Sequence, residues 1–233
     1  MLVVEVLVIL LVVLFYVSLP ALSALMHRHM IASGWRKAGR TLGLDVSYRF
    51  VQAVRMAGRL GAFVARVELD KRSSLRTGAY ATRYVIEGNG LSSNLLIAGS
   101  EHTTVMVPAQ YRVRLGDATF DANVSVSGRR DEVLALLDAP TRSALMRFVE
   151  NGKNHYGAGR LVSERTGRDM VPEQIVTHME EVAELAKRLT IEPDAIPARL
   201  ATNAEYEPDA RVRRANLDTL IAVYRDSPEG ERR

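Results

Sequence analysis

The stretch MLVVEVLVILLVVLFYVSLPALSALM, residues 1–26, carries a single charged side chain, Glu5. A helix needs about 20 mainly apolar residues to cross the hydrocarbon of a bilayer, so the run predicts a transmembrane anchor over 1–26. A secretory signal would have a basic start, a shorter apolar stretch and a small-residue cleavage site. This chain starts apolar at Leu2 and runs on past Pro20, and the anchor is expected to be retained, with Glu5 at the outer interface where a carboxylate costs little.

Positive charge follows the run. Arg28, Arg36, Lys37 and Arg40 fall in MHRHMIASGWRKAGR with Trp35 among them, a segment (27–43) expected to lie against anionic headgroups. Positive flanks stay inside. The soluble part is therefore expected in the cytoplasm, below a bacterial inner (plasma) membrane crossed once. This cluster and the terminal Arg232 and Arg233 account for much of the net charge of +4 and the sequence pI near 9.5. That assignment makes lipid a nearer partner than nucleic acid, which is not expected. With no cysteine in the 233 residues, structural disulfides and cysteine zinc sites are excluded.

The fold class expected beyond the anchor is α+β, an antiparallel sheet packed with amphipathic helices, over residues 44–190. GAFVARVELD, YATRYVIEG, NLLIAG, AQYRVRL and FDANVSVSG are short runs rich in Val, Ile, Tyr and Phe with turn residues between them. In FVARVEL, Phe63, Ala65, Val67 and Leu69 alternate with mostly polar neighbours, the period of a half-buried strand. From Asp131 the period becomes helical: Asp131 is expected to cap EVLALLD, and a second helix begins near Pro140. In PEQIVTHMEEVAELAKRL, Ile175, Met179, Val182, Ala186 and Leu189 recur at three and four, giving one apolar face.

Residues 191–233 have a different pattern. Val212, Ala215, Leu217, Leu220 and Val223 form an apolar stripe, with Arg211, Arg213, Arg214 and Arg225 beside it. DARVRRANLDTL resembles the second helix of a HEAT repeat, which implies a helical pair. One such unit cannot bury its own face, so the stripe is expected to pack on the preceding domain and leave the four arginines facing a partner.

GDATFDANVSVSG holds two carboxylates four residues apart, Asp117 and Asp121, with Gly116 and Phe120. A calcium loop would repeat oxygen ligands at every second residue and close on an acidic one; this segment does not. The motif reads as structural: Gly116 and Asp117 turn the chain, Phe120 enters the core, and Asp121 starts a strand or bonds the turn backbone. His27, His29, His102, His155 and His178 are scattered, no serine occupies a Gly-x-Ser-x-Gly elbow, and no glycine-rich loop opens a helix. Catalytic residues, metal ligands and cofactors are accordingly expected to be none. An enzyme would have to assemble Asp117, Asp121, Glu101, His102 and an arginine in one pocket.

The anchor, GWRKAGRTLGL, GRLGAFVARVE, GDATFDANVSVSG, LLDAPTRSALMRFV and the HEAT-like tail together resemble an uncharacterised group of bacterial single-pass membrane proteins with a GDxxFD-containing α+β domain. The resemblance implies architecture and no activity. The functional expectation is a membrane-anchored, non-catalytic interaction or scaffold protein that takes a protein partner or self-associates through its tail. A pilin- or pseudopilin-like subunit is the alternative, since Glu5 and Pro20 in the apolar run resemble a pilin helix; an enzyme with an unrecognised site is the second.

Overall fold

The computed structural model describes residues 15, 18–19, 29–47, 54–71, 80–101, 108–150 and 153–224. Among these, strands β1 (Asp45–Ser47), β2 (Arg55–Leu60), β3 (Phe63–Lys71), β4 (Tyr80–Glu87), β5 (Leu96–Gly99), β6 (Val124–Ser127), β7 (His155–Gly157) and β8 (Arg160–Thr166) form one sheet. Its order is β1-β2-β3-β4-β8-β7-β5-β6, with every neighbouring pair antiparallel. The first four strands meander. The chain then crosses to build β5 and β6 at the far edge, and the β7–β8 hairpin fills the gap between them.

Alternation decides which face is buried, because directly opposed residues of antiparallel strands project to the same side. Val67 lies opposite Met56 and Tyr84, Ala65 opposite Ile86, and Ile86 opposite Leu161; all are buried. The other face carries charged residues paired across strands: Arg55 with Glu68 at 3.2 Å, and Glu87 with Arg66 and with Arg160, the latter at 2.9 Å.

Helices cover the apolar face. The helix at 29–42 (α1) and α5 (Pro172–Arg188) lie on it, joined by short helices α2 (Ala118–Asn123), α3 (Arg130–Leu136) and α4 (Ala139–Val149); α6 (Ile196–Tyr206) and α7 (Ala210–Tyr224) close the chain. In α5 and its C-cap the residues at three- and four-residue spacing, Ile175, Met179, Val182, Ala186 and Leu189, are all buried, as an amphipathic stripe requires. The expected strand AQYRVRL is absent: Ala109–Tyr111 is a 3-10 turn, and Val113 donates one hydrogen bond to Val126 O at 2.8 Å.

The membrane reading is corrected here. Among the described residues no helix is long and apolar enough to cross a membrane. The fold is α+β with an antiparallel sheet, and the N-terminal transmembrane helix, the single-pass placement in a bacterial inner membrane and the cytoplasmic side derived from it are not supported. The expected span itself lies outside the described residues apart from Phe15, Ser18 and Leu19, all exposed.

The segment expected to flank the membrane has another use. Ile31, Trp35, Ala38 and Leu42 recur along α1 at four, three and four residues, and all four are buried in the main core. Trp35, expected at a lipid interface, is fully buried and its indole N–H donates to the Asp169 carbonyl oxygen at 2.7 Å. Gly34 lets the helix approach that loop, since a Cβ there would lie 2.2 Å from the Met170 carbonyl oxygen. Arg36, Lys37 and Arg40 occupy the outer side of α1, with Lys37 bonded to Glu173 at 2.7 Å. Arg28 lies outside the described residues. Trp35→Ala should therefore cost about 3–5 kcal/mol in chemical denaturation, the range for emptying a buried Trp site; a loss below about 1 kcal/mol would return Trp35 to the surface.

Candidate functional site

The two aspartates of the GDxxFD motif are occupied by the chain itself. Asp117 caps α2, accepting from Phe120 N at 3.0 Å, and Phe120 is fully buried beneath it. Asp121 lies inside α2 and accepts from Leu115 N at 3.1 Å and Gly116 N at 3.0 Å, closing the loop onto the helix. The expectation that Asp121 bonds the turn backbone describes this geometry; the expectation that it starts a strand does not. Gly116 has φ +99°, and a Cβ there would come 3.1 Å from Arg211 Cβ. The motif therefore sits directly against α7.

Arg142 ties these parts together. Its side chain is 5% exposed; it donates to Asp117 Oδ2 at 3.0 Å, to Glu207 Oε2 at 3.0 Å and to the Leu137 carbonyl oxygen at 2.9 Å. Glu207, 3% exposed, also accepts from Ala139 N at 2.7 Å. It lies in the link between α6 and α7. One turn earlier Asn203 donates to the Leu134 and Ala135 carbonyl oxygens of α3, at 2.9 and 3.4 Å. The tail thus docks on its own domain.

The docked face of α7 is not the expected stripe. Val212, Asn216 and Thr219 are buried, Ala215 and Leu220 half buried, and Leu217 and Val223 exposed. Of the buried polar residues, Asn216 donates to the Val212 carbonyl oxygen at 2.9 Å while its Oδ1 finds no hydrogen-bond partner, and Thr219 Oγ1 accepts from Arg130 Nε at 3.3 Å. The arginines separate. Arg213 turns in and donates to the Glu207 and Pro208 carbonyl oxygens at 2.6 and 3.1 Å, whereas Arg211 and Arg214 point outward. Arg225 lies outside the described residues.

Beside the exposed arginines, α7 and the start of α3 enclose a groove of about 570 Å³ lined by Arg129, Arg130, Asp131, Asp218, Ala222 and Val223. Asp131 does not cap α3; it sits in the first turn, buried, and bonds Arg129 at 2.6 Å and the Tyr224 phenol at 3.1 Å. Burial opposes its ionisation, but the bonds from Arg129, the Glu132 amide and Tyr224 hold its carboxyl below the ordinary value.

A second groove, of about 820 Å³, runs between α4 and α5, with Phe148, Ala144 and Leu185 as apolar walls and Arg147, Arg188, Glu181 and His178 among the polar ones. Behind it Ser163 Oγ lies 2.8 Å from His178 Nε2, and His178 Nδ1 is 3.5 Å from Glu181 Oε2. That order matches a nucleophile, base and carboxylate. Ser163, however, is fully buried in β8 and does not line the groove, so its oxygen is closed off from it. The pair is a packing contact. Tyr84 completes it, with its ring edge-on to His178 at 4.6 Å and its phenol donating to Asp169 Oδ2 at 2.6 Å. Among the described residues no group of three or more His, Asp or Glu side chains is placed to hold a metal ion. His102, needed for the enzyme pocket, lies outside the described residues.

Sequence reading missed Arg142, Glu207 and Asn203. One signal was present: Arg142 falls on the face of α4 that also carries Leu145 and Val149, where a charge implies a buried partner. No family model matches the chain, and neither a curated protein nor a solved structure matches it.

Two outcomes follow from this geometry. Glu207→Ala strands the buried Arg142 guanidinium and should cost about 3–5 kcal/mol in thermal or urea unfolding. Burial, and next the Arg165 charge, hold the His178 imidazole below its ordinary value of 6.5, outweighing Glu181 and Asp169. The unfolded chain then takes up a proton that the folded chain resists, so stability should fall as pH drops below about 6.5. His178→Gln should flatten that fall relative to the parent in melts between about pH 7 and 5.

Proposed function

We infer that the chain is a non-catalytic interaction module that captures a protein partner through the surface of α7 and the start of α3. The observation that carries this reading is the exposure of Leu217 and Ile221, one turn apart on α7, at 47 and 48%, after the inner face of the helix has docked. A helical pair of the HEAT kind uses one face to stack on its neighbour and offers the rest to ligands. Arg214 stands one turn before Leu217 as an exposed charge. Such a row, rimmed by polar groups, is the composition of an interaction surface.

The tail is also structural, so its removal is the wrong test: without residues 191–233, Arg142 loses Glu207 and α3 loses Asn203. Point substitutions separate the roles. Leu217→Asp with Ile221→Asp should leave the melting temperature within a few degrees of the parent and abolish capture of partners by the full chain from a lysate of its source cells, read by quantitative mass spectrometry. An unchanged set of captured proteins would refute the reading.

A further inference from the structure

We propose that α7 is a hinged arm: pinned at its start by the Arg142 cluster, it releases the part beyond Val212 from its seat on α3 and α6 and returns to the same place. The proposal does not rest on the partner reading above, which concerns the outward face of the docked helix.

The first observation is how little apolar surface seats this helix. Over its 15 residues α7 buries Val212, Asn216 and Thr219, one apolar side chain near its start and two polar ones beyond it. α5, with 17 residues, buries Ile175, Met179, Val182, Ala183, Leu185 and Ala186. Ala215, Leu220 and Tyr224 add only half-buried contacts to the seat of α7. A segment that buries so few apolar side chains opens locally at a lower free energy than the core.

Asn216 is the second observation. Its side chain is wholly buried and its amide nitrogen donates within α7, to the Val212 carbonyl oxygen, yet its Oδ1 has no partner. A buried polar atom that gives up water without replacing it destabilises the state that buries it. The seated state of α7 carries that cost, and release relieves it.

The two ends of the helix are held differently. At the start, Glu207 completes the bonding of the buried Arg142, and Asp209 Oδ1 accepts from Arg211 N at 2.7 Å and Val212 N at 3.3 Å. Moving that end would strand a guanidinium. At the far end the polar seat is two bonds, from Arg130 Nε to Thr219 Oγ1 at 3.3 Å and from the Tyr224 phenol to Asp131 at 3.1 Å. Release there strands nothing, because Asp131 keeps Arg129 at 2.6 Å while Thr219 and Tyr224 turn to water. The hinge therefore lies at the start of α7, and the Arg142 cluster sets the seat to which the arm returns. Released, the arm bares Leu220 and Tyr224 and uncovers the α3 wall that carries Arg130 and Asp131.

The chain has no cysteine, so one introduced thiol in the full chain reports the opening. Thr219→Cys places it on the seated face of α7, and Ala183→Cys places it at a comparably buried position of α5, the two parent residues being 5 and 6% exposed. In native buffer with excess thiol reagent, the Thr219→Cys variant should be labelled about a hundredfold faster than the Ala183→Cys variant. Adding Asn216→Leu, which removes the unpartnered oxygen at similar volume, should slow labelling at 219 about tenfold, and adding Tyr224→Phe should speed it about threefold, with labelling at 183 unchanged by either. Both comparisons are made within the Thr219→Cys background, so the bond that variant loses to Arg130 cancels. Equal rates at 219 and 183 would mean that α7 opens only with the whole fold and would overturn the proposal, as would a folded Asn216→Leu variant labelled as fast as its parent. Should Asn216→Leu fail to fold, Tyr224→Phe decides, and an unchanged rate at 219 refutes the hinge.

Discussion

A guanidinium out of water has to be fully matched or the fold around it fails, and Arg142 is matched by three different parts of the chain. Asp117 comes from the GDxxFD loop, Glu207 from the α6–α7 link, and the Leu137 carbonyl oxygen from the end of α3. None of these can leave without stranding charge. The helical tail is thus bound to the sheet domain by a directional constraint as well as by apolar contact, and the position of α7 relative to α3 is fixed by it.

Much of the body was legible because its periods are clean. β3 alternates without interruption, and α5 repeats its apolar residues at three and four, so each selects one buried face. The structural reading of Asp117 and Asp121 follows from their chemistry: short carboxylates beside a glycine find backbone amides sooner than metals. α1 was misread because its basic residues suited a headgroup layer. The same segment also carried an amphipathic stripe, Ile31, Trp35, Ala38 and Leu42, and Lys or Arg on the other side of a core helix is ordinary surface.

The phase of α7 was not legible. A hydrophobic count favours Leu217 and Val223 for the interior, yet Asn216 and Thr219 are buried there. Thr219 is held inside by a hydrogen bond from Arg130 of α3, whose value depends on a tertiary neighbour that no local pattern encodes, whereas Asn216 bonds only its own helix, at the Val212 carbonyl oxygen. The same limit hid Glu207 and Asn203, whose partners lie 65 and 69 residues away. Long-range polar pairs leave only a negative sign in sequence, a polar residue where an apolar one is due.

That inversion connects fold to function. With Asn216 and Thr219 turned in beside Val212, Leu217 and Ile221 of α7 are left facing solvent while Ala215 and Leu220 pack part-buried against the core. A monomer gains nothing from this arrangement, since an exposed apolar row contributes no burial and invites association.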